Sequence, residues 1–373
     1  MDYDVIIAGA SFAGLGVAAH LKGKRVLLIE PNPIGTVQTS ACGTLLAVLE
    51  ATGTSDSLIQ IHNKILLHLG KSTIEFPLDY PFCTFDFATF CDRLLAQCDA
   101  EILRASVLGH REHMVFTTEG TFDAELIVDA TGWRAALATG RRGGRVRHRG
   151  QSFGLETVMT GSDPGLHFYY DPKRLGMFNI GWLFPIGGET RAGVASYQGR
   201  TQLNETLANF ALASFGKPPG ARHGGYFPYR RKPATTDHVF RVGDSAGQCN
   251  PFTGEGIRPA LYFAAVAAGL IDRVLSGEIR EREALREYRQ LARRHSLMHR
   301  FLLATQYLLP LVPLGGIAAI ARQVRRPSIL TPLLQIYWNS ANPFDMAIGL
   351  DRDALSPGHA RKGSDSAPLP EEA

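Results

Sequence analysis

Near the start of the chain, two apolar runs lie on either side of a stretch of small residues. Residues 5–8 (VIIA) and 25–30 (RVLLIE) show no alternation of apolar and polar positions, which predicts parallel strands buried on both faces. Between them, residues 9–14 (GASFAG) predict a tight turn, and residues 15–22 predict a short helix that ends at Gly23. A strand–helix–strand unit of about 30 residues is typical of dinucleotide binding.

Similar patterns recur late in the chain, after a β-rich middle. Residues 239–244 predict another buried strand, and residues 256–275 predict a helix. Residues 281–294 predict a strongly charged helix with its apolar side chains on one face. Residues 55–85 indicate shorter strands and loops, and residues 150–235 indicate mostly strands. The two α/β ends therefore predict one nucleotide-binding domain built from separated segments.

The composition is that of an ordinary globular protein. The chain has 373 residues, of which 45% are hydrophobic and 20% are charged, which excludes a disordered, collagen-like or coiled-coil protein. Its net charge of +4 is mild, and no nucleic-acid-binding motif is present. The five cysteines form no CxxC pair, so we expect neither a disulfide framework nor a metal site. Because Asp2 and Asp4 precede a very short apolar run, the N-terminus argues against export, and we expect a cytoplasmic protein.

The first chemical motif is Gly9-x-Ser11-x-x-Gly14. Gly9 permits the tight turn, a small residue at position 11 lets the backbone approach a pyrophosphate, and Gly14 permits close packing of helix on strand. Ser11 replaces the usual middle glycine, but Glu30 stands where a carboxylate accepts hydrogen bonds from an adenosine ribose. The motif therefore predicts binding of an ADP moiety.

The second motif is GDSAGQCNPFTGEGI, residues 243–257. The carboxylate of Asp244 follows a buried strand and is suited to hold a ribityl hydroxyl. The helix that begins near Gly256 points its N–H groups towards the flavin edge that gains negative charge on reduction. The candidate binding residues of this motif are Gly243, Asp244, Pro251, Gly254, Gly256 and Ile257.

Together these stretches resemble the geranylgeranyl reductase family, within the larger flavoprotein group of the para-hydroxybenzoate hydroxylase type. The resemblance covers roughly residues 2–275 and is most specific over residues 243–261. The matching stretches are GDSAGQCNPFTGEGIRPAL at residues 243–261, GASFAG at 9–14, SACG at 40–43, DATG at 129–132 and GWLFP at 181–185.

The resemblance implies FAD as the cofactor. It implies pyrophosphate contacts at Gly9, Ala13 and Gly14, flavin contacts at Cys42 and Gly43, and an adenine contact near Val107. One position departs from the family, because Phe87 stands where relatives usually carry an arginine that contacts FAD. Candidate catalytic residues are Cys42, Trp182 and Cys249, with a small buried thiol as the alternative for each cysteine. Phe178, Phe184 and Tyr226 are expected pocket walls beside Trp182, with ordinary core aromatics as the alternative.

The family resemblance predicts reduction of C=C bonds in an isoprenoid or polyprenyl lipid by hydride transfer from flavin N5. A flavin monooxygenase, a hydroxylase or epoxidase that acts on an apolar substrate, is the main alternative. A lipid-binding flavoprotein without activity is a third. No second GxGxxG motif is present, so the electron donor is NAD(P)H that binds transiently or reduced ferredoxin. The basic run at residues 141–149 is a candidate anion contact, or otherwise a solvated loop.

Residues 301–320 carry no charge, and arginines flank them on both sides. Because Pro310, Pro313, Gly315 and Gly316 interrupt this segment, it predicts an interfacial element or the cover of an apolar pocket rather than a membrane span. The alternative is a packed helical pair. We therefore expect peripheral contact with the inner face of the membrane.

The predicted fold class is α/β, with a Rossmann-like FAD-binding domain, an inserted β-rich substrate domain and a C-terminal helical segment. The predicted domains are a discontinuous FAD-binding domain of residues 1–55, 86–150 and 236–280, a substrate domain of residues 56–85 and 151–235, a helical region of residues 281–350, and a disordered tail of residues 351–373.

Overall fold

A computed structural model describes residues 1–137 and 150–342, so the basic run at 141–149 and the predicted tail lie outside the described residues. The strands are β1 Tyr3–Ala8, β2 Val26–Ile29, β3 Gly43–Leu45, β4 Leu58–Leu69, β5 Ser72–Phe85, β6 Ala100–Leu103, β7 Val107–Arg111, β8 Met114–Thr117, β9 Gly120–Asp129, β10 Gln151–Thr160, β11 Leu166–Tyr170, β12 Asn179–Ile186, β13 Glu189–Ser196, β14 Arg222–Pro228, β15 Thr235–Thr236 and β16 Val239–Arg241. The helices are α1 Phe12–His20, α2 Leu46–Ala51, α3 Phe87–Leu95, α4 Asn204–Phe215, α5 Ile257–Leu275, α6 Glu281–Arg294, α7 Ser296–Leu308, α8 Leu314–Val324 and α9 Pro327–Asn339.

The first sheet has the strand order β15-β16-β9-β1-β2-β6, and β7 and β8 extend it from β9. Its central strands are parallel, with Ile6 opposite both Leu27 and Ile127. Val5 and Ile7 pack into one core while Ile6 and Ala8 pack into another, because successive side chains of a strand point to opposite faces. The uniform apolar run at residues 5–8 is thus explained by burial on both faces.

The second sheet has the strand order β14-β10-β13-β12-β11-β4-β5-β3. Its long hairpin of β4 and β5 corrects the expectation of shorter strands and loops over residues 55–85. Register shifts at residues 58–60 and 62–64 interrupt the pairing of β4 with β5. Each irregularity resets the alternation of inward and outward side chains, so the period of two is lost over the full strand length.

Helix α1 begins at Phe12 and ends at His20, earlier than the predicted residues 15–22. Ser11 is the extended N-cap residue, and its carbonyl oxygen accepts the first helical bond from the N–H of Leu15 at 2.9 Å. Residues 12–14 of the small-residue stretch are therefore already helical, although the side chain of Ser11 makes no capping hydrogen bond. α1 packs against α5 on one face of the first sheet.

The α/β fold class is confirmed. The first sheet draws its strands from residues 3–29, 100–129 and 235–241, and the second from residues 43–45 and 58–228. The division into two domains stays a proposal, and β3 is the element that departs from it, because Gly43–Leu45 pairs with β5 in the second sheet.

Candidate functional site

A cavity of about 1020 Å³ extends from the turn after β1 to the C-terminal helices α7–α9. Small-molecule sites have volumes of about 300–1,000 Å³, so this cavity is at the upper end of that range. Gly14 and Pro251 are the predicted site residues that do not line it. The predicted residues that do line it are Gly9, Ser11, Ala13, Glu30, Cys42, Gly43, Val107, Trp182, Gly243, Asp244, Cys249, Gly254, Gly256 and Ile257.

The turn after β1 is closed by backbone contacts that tolerate no side chain. A Cβ on Gly9, which has φ +97°, would lie 2.4 Å from the carbonyl oxygen of Ala130. A Cβ on Gly14 would lie 1.8 Å from the carbonyl oxygen of Gly9. Gly14 therefore acts through packing and not as a wall of the cavity. The first N–H groups of α1 have no intrahelical acceptors, which suits them to a pyrophosphate.

Glu30 connects the end of β2 to this turn. Its Oε2 accepts a hydrogen bond from the N–H of Ala10 at 3.1 Å, and its Oε1 accepts one from the N–H of Asn32 at 3.1 Å. Oε1 also accepts from Nδ2 of Asn32 at 3.3 Å, so it is Oε2 that retains a further lone pair for a ribose hydroxyl. Glu30 therefore shapes the turn in addition to its predicted contact with ribose.

Asp244 lies in a short 3-10 turn, Gly243–Ala246, in the cavity wall. Desolvation by burial raises the pKa of its carboxyl group to about 6, although the positive charge of Lys232 opposes this effect. No described residue donates a hydrogen bond to that carboxylate, and a Cβ on Gly256 would lie 3.8 Å from its Oδ1. A half-buried acceptor without a donor among the described residues, beside the start of α5, fits a polyhydroxyl chain such as the ribityl chain of FAD.

The two candidate cysteines are buried neutral thiols. Desolvation raises the pKa of Cys42 to about 12, although Arg191 opposes it, and raises that of Cys249 well above its ordinary value. The thiol of Cys42 donates to the carbonyl oxygen of Ser40 at 3.4 Å. Neither site favours a thiolate nucleophile. A catalytic role for either cysteine stays a prediction.

Arg191 is a functional candidate that no local pattern marks. Its guanidinium is buried and donates to the carbonyl oxygens of Ala41 and Phe85, both at 3.1 Å. These bonds hold the loop that carries Cys42. Phe87, the position where relatives usually have arginine, lines the cavity and packs against the ring of Phe12.

Trp182 lies flat in the wall of the second sheet. A Cβ on Gly193 would lie 2.0 Å from its ring, and one on Gly154 would lie 3.5 Å away. Phe184 and Tyr226 also line the cavity, as expected. Phe178 is not among the lining residues, which corrects that expectation: it lies just before β12, outside the alternation that turns Trp182 and Phe184 inwards.

Trp182 contacts a polar pair, Glu156 and His223, that no sequence motif marks. Its Nε1 donates to Oε2 of Glu156 at 2.7 Å, and Nε2 of His223 lies 3.1 Å from the other oxygen, Oε1. Glu156 and His223 stand directly opposite each other on β10 and β14, and both line the cavity. They are 67 positions apart in the sequence, so no short motif could have joined them.

A buried ion pair between Arg258 and Glu255 connects the start of α5, on the cofactor side of the cavity, to the end of α9. Arg258 has 0% exposure and donates to both carboxylate oxygens of Glu255, each at 2.7 Å. It also donates to the carbonyl oxygens of Trp338 and Ala341 at 3.1 and 2.6 Å. The hydroxyl of Tyr337 donates to Glu255 as well. This clamp joins the start of α5 to the end of α9.

The segment 301–320 forms parts of α7 and α8 and a 3-10 turn between them. Leu309 and Ile317 line the cavity, whereas Phe301, Leu308 and Leu311 are 63%, 59% and 70% exposed. The segment is therefore a cavity cover with an apolar outer face. Among the described residues, no helix has the length and apolar character needed to span a membrane.

Comparison with known proteins points to one family. The chain is 24% identical over 333 residues to the digeranylgeranylglycerophospholipid reductase of Haloferax volcanii, covering 76% of this chain and 79% of that one. It is 27% identical over 303 residues to digeranylgeranylglycerophospholipid reductase 2 of Methanothermobacter thermautotrophicus, covering 72% and 77%. No protein-family model matches the chain.

Solved structures establish the fold. A geranylgeranyl bacteriochlorophyll reductase-like protein from Thermoplasma acidophilum superposes with a TM-score of 0.76 at 17% identity, covering 91% of this chain and 96% of that one. PqsL, a probable FAD-dependent monooxygenase from Pseudomonas aeruginosa, superposes with a TM-score of 0.64 at 17% identity, covering 85% and 99%. On its motifs, its curated relatives and its fold, the chain is an FAD-dependent oxidoreductase that is similar to the geranylgeranyl reductases.

Proposed function

We propose that the protein reduces C=C bonds in the isoprenoid chains of a lipid, with FAD as its cofactor. The observation that carries this proposal is the single cavity that joins the glycine turn of β1 to the apolar cover of α7–α9. Its curated relatives are named as reductases of a digeranylgeranylglycerophospholipid, a lipid with long unsaturated chains. An apolar chain requires an apolar path of this kind.

The far part of the cavity has walls suited to such a chain. Aliphatic and aromatic side chains from β4, β5 and β11 meet those of α7–α9 there. These residues are Ile65, Leu67, Leu69, Phe76, Leu78, Leu166, Phe168, Leu309, Ile317, Leu330, Leu334 and Trp338. Burial of a chain against them is favourable by about 0.8 kcal/mol for each CH₂ group.

The cofactor end has groups suited to hold FAD. The N–H groups of α1 would donate hydrogen bonds to the pyrophosphate. Glu30 would accept hydrogen bonds from the ribose, and Asp244 would accept them from the ribityl chain. Bound FAD supplies the hydride for the reduction. The protein's own contribution is to orient the alkene and to exclude water. The electron donor is NAD(P)H that binds transiently, or reduced ferredoxin.

The reductase proposal predicts turnover without oxygen. Enzyme reduced with dithionite and mixed anaerobically with a geranylgeranyl-bearing phospholipid should recover the absorbance of oxidised flavin. The lipid should gain two hydrogens in each turnover, as measured by mass spectrometry. If recovery needs oxygen and the product gains an oxygen atom, the monooxygenase alternative is correct.

We propose further that the outer face of α7 and α8 contacts a membrane. Leu297, Phe301 and Leu311, which are 63% to 73% exposed, lie on the cover through which a lipid chain must reach the cavity. Arginines on both sides of this cover are exposed and can bind anionic headgroups, each adding about 1 kcal/mol. These arginines are Arg293, Arg294, Arg300, Arg322, Arg325 and Arg326.

Membrane contact predicts co-sedimentation with anionic liposomes. Replacing Phe301, Leu308 and Leu311 with Ser should reduce the bound fraction without loss of FAD, because these side chains face outwards. High salt should release only part of the protein, because screening removes only the electrostatic contribution.

The control is a triple variant with Ser at Ile59, Val158 and Leu212, which are exposed elsewhere on the molecule. It should bind like the wild type. Equal losses in both triple variants, or a native protein that stays in the supernatant, would contradict the membrane proposal.

A further inference from the structure

Glu156 and His223 form a hydrogen-bonded carboxylate–imidazole pair in the wall of an otherwise mostly apolar cavity. The side chain of Glu156 is 4% exposed, and each of its oxygens has a partner, Trp182 for Oε2 and His223 for Oε1. A buried carboxylate is retained only where donors satisfy it. The arrangement holds a carboxylate against one nitrogen of an imidazole, which fixes the orientation of the ring.

The imidazole itself is open to the cavity. The side chain of His223 is 34% exposed, and its Nδ1 makes no hydrogen bond to any residue that the structure describes. It therefore lies between water and the interior, with one nitrogen anchored and the other available. A group in this position can take a proton from water and carry it inwards.

The pair also lies on the flavin side of the cavity. The charge of Glu156 acts on the thiol of Cys42, which stands in the loop that the family resemblance places beside the flavin. On the strand of His223, a Cβ on Gly225 would lie 3.2 Å from the side chain of Thr39, in that same loop. The pair therefore adjoins the region where the reacting bond of a bound chain must be.

We propose that His223 is the acid that protonates the alkene, and that Glu156 is the residue that positions it. This inference rests on the proposed reductase function. One alkene carbon receives a hydride, which oxidises the reduced cofactor by two electrons. The π electrons of the alkene form the second C–H bond with the proton of His223, whose N–H bond breaks. The imidazole then regains a proton from water, so charge and hydrogen balance.

The first test is chemical rescue in the FAD-loaded protein. Dithionite-reduced His223→Gln, mixed anaerobically with a geranylgeranyl-bearing phospholipid, should recover oxidised flavin about 100-fold more slowly than the wild type, the order expected for a lost general acid. Imidazole added to the buffer should restore much of the rate, because it fills the vacated space with the missing group. The His113→Gln variant is the control, since His113 does not line the cavity and should react like the wild type.

Glu156→Gln tests the positioning role. Glutamine still accepts from Trp182 but carries no charge, so the variant should bind FAD and lipid normally and react slowly. Imidazole should not rescue it, because His223 still occupies its place. Rescue of both variants to the same extent would contradict the assignment of roles.

A second readout needs no turnover. Diethyl pyrocarbonate should label His223 in the oxidised protein, and saturating fully reduced lipid should protect it but not His113, as measured by peptide mass spectrometry. A wild-type rate in His223→Gln, or no protection of His223, overturns the proposal. If wild type and His113→Gln both fail to pass hydrogen to the lipid, it is the reductase function that is wrong.

Discussion

Replacing Asp244 with Asn is expected to weaken FAD binding and, at the same time, to stabilise the protein without FAD. The half-buried carboxylate has no hydrogen-bond donor among the described residues, and desolvation raises its pKa to about 6. A hydrogen bond from FAD to a charged acceptor contributes about 1.5–3 kcal/mol, so its loss should raise the Kd about 10- to 100-fold. Flavin fluorescence during dilution measures this change.

The effect on stability has a definite pH dependence. Below pH 3.8, the ordinary pKa of Asp, the carboxyl group is protonated in both the folded and the unfolded chain. Above about pH 6 it is charged in both, and the folded chain then bears the full cost of burial, about 3 kcal/mol. Urea unfolding of FAD-free protein should therefore show that the wild type loses stability between these values and that the Asn variant does not. A common pH profile would show that this carboxylate is not desolvated.

Replacing Arg258 with Met is expected to lower the free energy of unfolding by about 3–5 kcal/mol. The change leaves the charge of Glu255 buried without its partner, which is the costly way to break a buried ion pair. It also removes the donors to the carbonyl oxygens of Trp338 and Ala341, so α9 should loosen first. Urea unfolding of the FAD-loaded protein, with hydrogen exchange along α9, measures both effects.

Two further variants make this test specific. Adding Glu255→Gln to Arg258→Met removes the unpaired charge, so the double variant should be more stable than the single one. Arg273→Met breaks an exposed pair with Glu278 and Glu287 and should cost far less stability, because water and salt screen exposed charges. Equal losses in Arg258→Met and Arg273→Met would show that the clamp contributes little.

The nucleotide end of the site could be predicted because its determinants are local. Gly9, Gly14 and Glu30 act within one strand–helix–strand unit, and the constraints on them follow from turn geometry and helix packing. The motif around Asp244 is similarly continuous. Residue types and their spacing are therefore sufficient to locate the glycines of the turn and the two carboxylates.

The substrate end could not be predicted in the same way. Arg191 holds a loop 150 positions earlier in the chain, and Glu156 meets His223 through strand pairing, which no short pattern records. The register shifts in β4 also interrupt the alternation of apolar and polar residues, so the sequence does not reveal the full length of this strand, which forms one wall of the cavity. Long-range pairing, rather than residue type, decides which side chains meet there.

The contact of the Trp182 ring with Gly193 has a consequence for how this enzyme can diverge. Because any Cβ at position 193 would lie 2.0 Å from the indole, the two positions are not free to change separately. A homologue that keeps Trp182 must also keep Gly193. Replacing Trp182 with a smaller residue first would create room for a side chain at position 193 on β13. Substitutions at these two positions are therefore expected in a fixed order, with position 182 changing before position 193.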